Sequence, residues 1–459
     1  MFKKFIGDKK FYKSLFLIVI PIVLQQFITQ FVSLLDNLMV GRVGNDEMIG
    51  VSLANQLLFV FNLGIFGCLS GASIFATQFY GAQDKNGYQE TIRFKFLMGI
   101  IIFIIALSIF LLFDDQLLNA FINSNDGEYS NPDVVLASGK KYLQIMLIGI
   151  LPFVIKEIYA TSLREMRETM FPMISGVVAI FVNLIINYLL IFGSFGCPRL
   201  GIVGAAIGTV VSRIVEMLLV IVYSHIKIKR FSFFKGVYKK PIVTFSSFKK
   251  FIPITLLLLS NELFWSLGLT MIVQGYSYRG LDVVGALNIC NTVNNVFVTV
   301  GTSLGNATSI ILGNLLGANK NKEAKETSYK ILFTSLIFSI AFAIMEIGTS
   351  FIVPNIYNTG EGIRTMAREM IIIASIFLPF HAFNTCCYFT LRAGGKIILT
   401  ILFDSLFVWL VRLPIAFFLS RYSSLSILLV FGLADGIDAV KAVLGYILVD
   451  KGVWLKKIV

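Results

Sequence analysis

The sequence is poor in charge. Asp, Glu, Lys and Arg make up 14% of its 459 residues, against about 25% in a typical soluble domain. Histidine occurs only at His225 and His381. The five cysteines, Cys68, Cys197, Cys290, Cys386 and Cys387, show no ligand spacing. The adjacent pair cannot supply a Cys-x2-Cys zinc corner. There is no paired-acid magnesium motif and no glycine-rich phosphate loop on a strand. These shortages exclude a soluble globule, a disulfide scaffold and a His/Cys metalloenzyme, so no enzymatic activity and no cofactor are expected. The excess is apolar: 56% of residues are hydrophobic, and the mean hydropathy is +0.82.

The apolar residues are gathered into runs. A helix needs about 20 apolar residues to cross a bilayer core of about 30 Å. The pattern predicts twelve such spans: 14–40, 48–79, 91–113, 138–162, 169–193, 201–226, 250–276, 284–315, 329–353, 365–391, 397–420 and 424–450. The basic start MFKKFIGDKK runs into the first span without a small-residue cleavage site. It is read as a spanning helix, not a signal peptide. The net charge of +13 would suggest nucleic acid in a soluble chain. Here most basic residues sit in the N-terminus, the even-numbered connections and the C-terminus. By the positive-inside rule that places both termini in the cytoplasm of a plasma-membrane protein, and no nucleic-acid partner is expected.

The chain also repeats. Gly44, Asn55, Ser73 and Gly81-Ala82 match Gly280, Asn291, Ser309 and Gly317-Ala318 at a constant offset of 236. Leu163-Arg164 resembles Leu391-Arg392. Spans 1–6 therefore resemble spans 7–12 in the same orientation. The expected organisation is a first lobe over 1–226, a basic cytoplasmic connection over 227–249 and a second lobe over 250–459. The fold class is all-α integral membrane: twelve transmembrane helices in two pseudo-symmetric six-helix lobes enclosing a central cavity, a known transporter layout.

Ionisable groups inside a span are costly and mark functional sites. Asp36 stands in span 1, on one helical face with Gln25 and Thr29 and beyond Pro21, which can kink the helix. Asn183 and Asn187 share a face of span 5, and Thr209 and Ser212 lie in span 6. Amide and hydroxyl oxygens suit Na⁺ or serve as hydrogen-bond partners for a carboxyl. Arg213 and Glu216, three apart in span 6, are positioned to neutralise each other. Glu262 in span 7 precedes Trp265 on the same face, a combination able to hold an organic cation. Its structural alternative is a pair with Arg412 or Lys441. Asn288, Asn291, Asn295, Thr299 and Thr302 form a polar stripe along span 8, and Asp404 is a further acid in span 11. Glu346, Asp435 and Asp438 complete the later acids.

Taken together, these segments resemble the MATE family, the multidrug and toxic-compound extrusion transporters. The carriers are Pro21 and Asp36 running into Val40-Gly41-x-Val43-Gly44, and Gly71-Ala72-Ser73 with Gly81-Ala82. Asn183-x3-Asn187-x4-Phe192-Gly193 and Gly201-x2-Gly204-Ala205-Ala206 follow. Then come Asn261-Glu262-x2-Trp265, Gly313-x3-Gly317-Ala318, Arg392-Ala393-Gly394-Gly395 and Asp404-x4-Trp409. The resemblance implies an antiporter exporting drug-like, often cationic compounds in exchange for Na⁺ or H⁺. It maps a cation site onto Asp36, Asn183, Asn187 and Thr209, and it implies that Pro21 bends as Asp36 changes protonation. The family often has an aspartate where this chain has Asn187. A single acid ringed by amides points to a proton, or to coupling that leans on Glu262. The expected partners are drugs or toxic organic cations and membrane lipid, for a monomeric protein. The alternative is a lipid-linked-saccharide flippase, whose anionic substrate would need Lys156, Arg213, Arg412 and Lys441 in the cavity.

Overall fold

A computed structural model of the chain describes residues 4–119, 131–239, 243–357 and 359–459, with the side chains of 32–34, 37, 38, 45 and 281 left out. Among the described residues the long elements are all helices. They are span 1 (Lys9–Gly41), span 2 (Asn45–Gly81), span 3 (Lys85–Leu112), span 5 (Met170–Phe192), span 6 (Ile202–Ile226), span 7 (Phe245–Ser277), span 8 (Leu281–Gly317), span 9 (Asn321–Ser350), span 10 (Glu361–Ala393) and span 12 (Ile427–Asp450). Span 4 is a bent pair, Pro132–Ile148 and Ile150–Glu165, with an angle of 49° at Gly149. Span 11 covers Ile397–Tyr422. All but span 12 pass a length and apolarity test for crossing a membrane, span 4 only as its bent pair. Span 12 carries Asp435, Asp438 and Lys441 near its middle.

The helices extend several residues beyond the apolar runs, because capped polar turns continue them past the greasy segment. The repeat is written into those ends. Span 2 closes on Gln83 at φ 57° and span 8 on Asn319 at φ 58°. Asp84 N donates to Phe79 O, and Lys320 N to Leu315 O, both at 3.0 Å. Such left-handed residues satisfy the last carbonyls of a helix. Spans 4 and 10 end alike, on Arg167 at φ 63° and Gly395 at φ 70°.

Backbone contacts divide the chain into two compact units. One comprises Met1–Val23, Thr77–Asp84 and Leu256–Val459; the other comprises Leu24–Ala76 and Lys85–Thr255. Span 1 changes unit two residues after Pro21, and span 7 two residues after Pro253. Each proline removes one backbone donor from the helix interior.

The connection between spans 6 and 7 is more than a basic linker. Phe231, Phe233, Phe234 and Val237 are buried. Gln89 Nε2 of span 3 donates to Phe233 O at 3.0 Å and to Lys235 O at 2.9 Å, and Arg93 Nε to Val237 O at 2.9 Å. Residues 240–242 of the connection lie outside the described residues. The segment after span 12 behaves in the same way in its own unit. Trp454 is fully buried. Gln78 Nε2 donates to Ala393 O at 2.9 Å and Lys456 O at 3.2 Å, and Ile458 N donates to Gln78 Oε1 at 2.8 Å. Each strap satisfies one buried glutamine, a polar group that would cost free energy if left unmade.

Candidate functional site

Spans 1, 5 and 6 bring the predicted first-lobe residues together. Asn187 Nδ2 donates to Asp36 Oδ1 at 2.8 Å and to Asn183 Oδ1 at 3.2 Å. Asn183 Nδ2 donates to Thr209 Oγ1 at 3.3 Å. Turning the Asn183 amide over places its nitrogen 2.9 Å from Asp36 Oδ1, a second donor to the carboxylate. Asn183 and Asn187 are buried, and Asp36 is partly buried. Among the described residues no lysine or arginine lies within ion-pair distance of Asp36. Two groups join the site that the sequence pattern did not select: the buried Tyr142 hydroxyl of span 4 interacts with Thr209 and with Asn55.

Close helix packing makes this possible. Gly204 and Gly208 of span 6 form a small-x3-small pair, which lets helices approach. A Cβ at Gly204 would overlap Leu190, and one at Gly208 would overlap Asn187 Oδ1. The glycine at 208 is therefore the space into which the Asn187 amide fits. Gly208→Ala is expected to push the Asn187 amide off Asp36, at a cost of about one hydrogen bond to a charged group, roughly 1.5 kcal/mol. The denaturation midpoint of the purified protein would check this.

A second polar network lies nearby in the same unit, and it corrects one expectation. Glu216 pairs with Lys156 at 3.5 Å, not with Arg213. Lys156 also meets Glu157 at 2.5 Å, and Arg213 Nη1 donates to Gly149 O at 3.5 Å. The physical reason is the bend of span 4, which turns Lys156 toward span 6 and leaves Arg213 to cap the broken turn at Gly149. Arg164 reaches Gln25 of span 1 at 3.3 Å.

The second-lobe residues assemble around span 7. Tyr388 OH donates to Glu262 Oε1 at 3.2 Å, and Arg392 Nη1 lies 3.6 Å from the same oxygen and 3.1 Å from Tyr388 OH. The base beside Glu262 is thus Arg392, where the sequence suggested Arg412 or Lys441. Arg392 falls one residue beyond the predicted span, and the real helix carries it inside. Asn261 Nδ2 donates to Asp404 Oδ2 at 3.1 Å, and Lys441 Nζ lies 3.7 Å from Asp404 Oδ1. Asp404 itself breaks span 11, at φ −103° and ψ −90°, and a π-helical turn follows over Val408–Arg412. Such turns recur at functional sites. Trp265 packs against the apolar cluster of Ile272, Val408 and Val430. On span 8, Asn288 and Asn295 are exposed, Asn291 is half-buried and Thr299 is buried. The stripe is continuous, but these residues make no ring around Glu262.

Among the described residues, then, the in-span acids fall into two sets. Glu157, Glu216, Glu262, Asp404 and Asp435 each have a lysine or arginine, and Asp438 has His381. Asp36 has amides, and Glu346, fully buried in span 9, has the Ser375 hydroxyl as its polar neighbour.

Comparisons with known proteins agree with this architecture. The family model described as MatE matches residues 21–189 and 257–418. The chain is 26% identical over 427 residues to the probable multidrug resistance protein YoeA of Bacillus subtilis, covering 91% of this chain and 89% of that protein. It is 23% identical over 432 residues to the probable multidrug resistance protein NorM of Bacillus cereus, covering 92% and 93%. Among solved structures, the outward-facing conformation of a multidrug resistance MATE family transporter superposes with a TM-score of 0.83 at 15% identity, covering 98% of each chain.

Proposed function

From the membership of this chain in the MatE family, a family of transporters and not enzymes, we propose a cation-coupled antiporter that exports drug-like cationic amphiphilic compounds by alternating access. The coupling ion is H⁺ or Na⁺, and it acts at Asp36, Asn183, Asn187 and Thr209. The observation that carries the reading is the surroundings of Asp36. An in-span carboxylate held by amide nitrogens, with no base within ion-pair distance among the described residues, gains or loses a full unit of charge when an ion binds. That gives the ion a large differential interaction with two arrangements of the helices, which coupling requires. One carboxylate with amide donors directed at it, and no second acid bonded to them among the described residues, supports H⁺.

The flippase alternative loses its main support. Of the four bases that reading needs, Lys156, Arg412 and Lys441 are held by Glu157, Asp435 and Asp404, which leaves Arg213, bonded to Gly149 O, as one base for an anionic lipid that needs several. Both termini are proposed to be cytoplasmic, on the charge asymmetry of the connections.

The test is efflux of an organic cation from proteoliposomes with H⁺ and Na⁺ gradients imposed separately. Export driven by an inward H⁺ gradient and indifferent to Na⁺ is expected. Export that ignores both gradients would remove the antiport reading.

A further inference from the structure

The connection between spans 6 and 7 takes no part in the site at Asp36, yet it is built with care. It contains two short turns, Ser232–Phe234 and Val237–Lys239, separated by Gly236 at φ 89°. Phe233, Phe234 and Val237 are buried, and Gln89 and Arg93 of span 3 bond the carbonyls of Phe233, Lys235 and Val237. Lys235 follows the first turn and Lys239 ends the second, and both are exposed. A Cβ at Gly236 would lie 3.7 Å from Lys239 Cδ, so the Lys239 stem runs along the turn that carries Lys235.

From Lys227 to Lys239 the chain holds five bases and no acid. The acids nearby are already engaged. Glu168 lies 2.6 Å from Arg230. Glu90 lies 2.7 Å from Arg93 and accepts from Thr244 N at 2.8 Å. Among the described residues, Lys227, Lys229, Lys235 and Lys239 are exposed and form no ion pair. Orienting the helices in a membrane calls for such charges, but it does not call for a fixed backbone beneath them. Here three hydrogen bonds from span 3 hold that backbone in place, which lowers the ordering cost of binding a ligand.

Exposed apolar groups accompany the lysines. Tyr238, between Gly236 and Lys239 in the chain, is exposed, and its hydroxyl bonds that of Tyr159. Its ring stacks on His225, with centroids 6.0 Å apart and planes 12° apart. Tyrosine is favoured at the headgroup level of a membrane. Ile226, the last residue of span 6, and Phe245, the first of span 7, are exposed as well. Fixed cations beside a fixed interfacial ring and two exposed apolar side chains fit a ligand with an anionic head and an apolar tail, and fit a free phosphate less well.

We propose that the strap between spans 6 and 7 binds an anionic phospholipid, with the phosphate held by Lys235 and Lys239 and the acyl chains lying against Tyr238 and Ile226. The site goes beyond the transport reading and does not depend on it. Basic segments next to a spanning helix gain free energy from each lysine placed near an anionic headgroup, and the pinned turns bring two of them to one place.

Native mass spectrometry of the full chain in a neutral detergent, titrated with phosphatidylglycerol or phosphatidylcholine, tests the proposal. A neutral micelle has no leaflet charge, so retention reports the site. Phosphatidylglycerol is expected to be retained about tenfold more tightly than phosphatidylcholine. Lys235→Gln with Lys239→Gln, both at exposed positions, should bring that ratio to about one. Lys9→Gln with Lys10→Gln removes the same charge from exposed lysines at the start of span 1 and should leave the ratio unchanged. Equal retention of the two lipids by the parent protein overturns the site. An equal loss of preference in the two double variants also overturns it, because net charge alone then explains the preference. Release of phosphatidylglycerol by an equal concentration of soluble glycerol phosphate overturns the assignment to a lipid.

Discussion

Cells carrying Asp36→Asn are expected to lose drug resistance down to the level of cells without the protein, with the variant still present in the membrane at normal abundance. The substitution is isosteric, and the asparagine oxygen can still accept the 2.8 Å hydrogen bond from Asn187. The local packing of spans 1, 5 and 6 therefore has little reason to change. What disappears is the charge. A ligand moves a conformational equilibrium only by its differential affinity for the two states, and a ligand that cannot bind moves nothing. The other in-span acids cannot substitute readily, because each one with a base beside it already has its charge answered. Immunoblotting of membranes alongside growth in drug separates lost function from lost protein. Full resistance in the variant would take Asp36 out of the mechanism.

The largest effect on stability is expected from the ion pair between Lys95 of span 3 and Glu165 of span 4. Their charged atoms are 2.5 Å apart, with the side chains 0% and 4% accessible. Tyr88 OH supports the pair, donating to Ser162 O at 2.6 Å and lying 3.3 Å from Glu165. Removing one partner of a buried pair leaves the other charge without compensation, at a cost of about 3–5 kcal/mol. Lys95→Met and Glu165→Gln should each lower the denaturation midpoint of the purified protein sharply. The double variant Lys95→Met with Glu165→Met should recover most of the loss, because no orphan charge remains and Tyr88 keeps Ser162. Additive losses in the double variant would show that the pair is not a coupled unit.

The helices were legible because the bilayer imposes a length: a run of apolar residues is a physical requirement, and the repeat then fixes the topology. Asp36, Asn183, Asn187 and Thr209 were also legible, since polar groups in such runs stand out and their 3–4-residue spacing gives a face. Three features were hidden. Arg392 sits one residue past the apolar run, so hydropathy alone leaves it outside the helix that in fact carries it to Glu262. The break at Asp404 and the π-helical turn after it leave no periodic trace, because one extra residue in a turn does not alter composition. Phe231, Phe233, Phe234 and Val237 lie among lysines and arginines, and the charge masked an apolar strap. Gly208 offered a signal that could have been used: Gly204-x3-Gly208 beside a span of two asparagines marks a place where a side chain amide is admitted between helices.

The bonds of Gln78 also set an order of events during synthesis. Its acceptors and donor, Ala393, Lys456 and Ile458, leave the ribosome more than three hundred residues after Gln78 itself. Until then the amide at the end of span 2 has to be served by water or by another protein. The nascent protein thus carries an unfinished seam at the end of span 2 until residues 393 and 456–458 have been made.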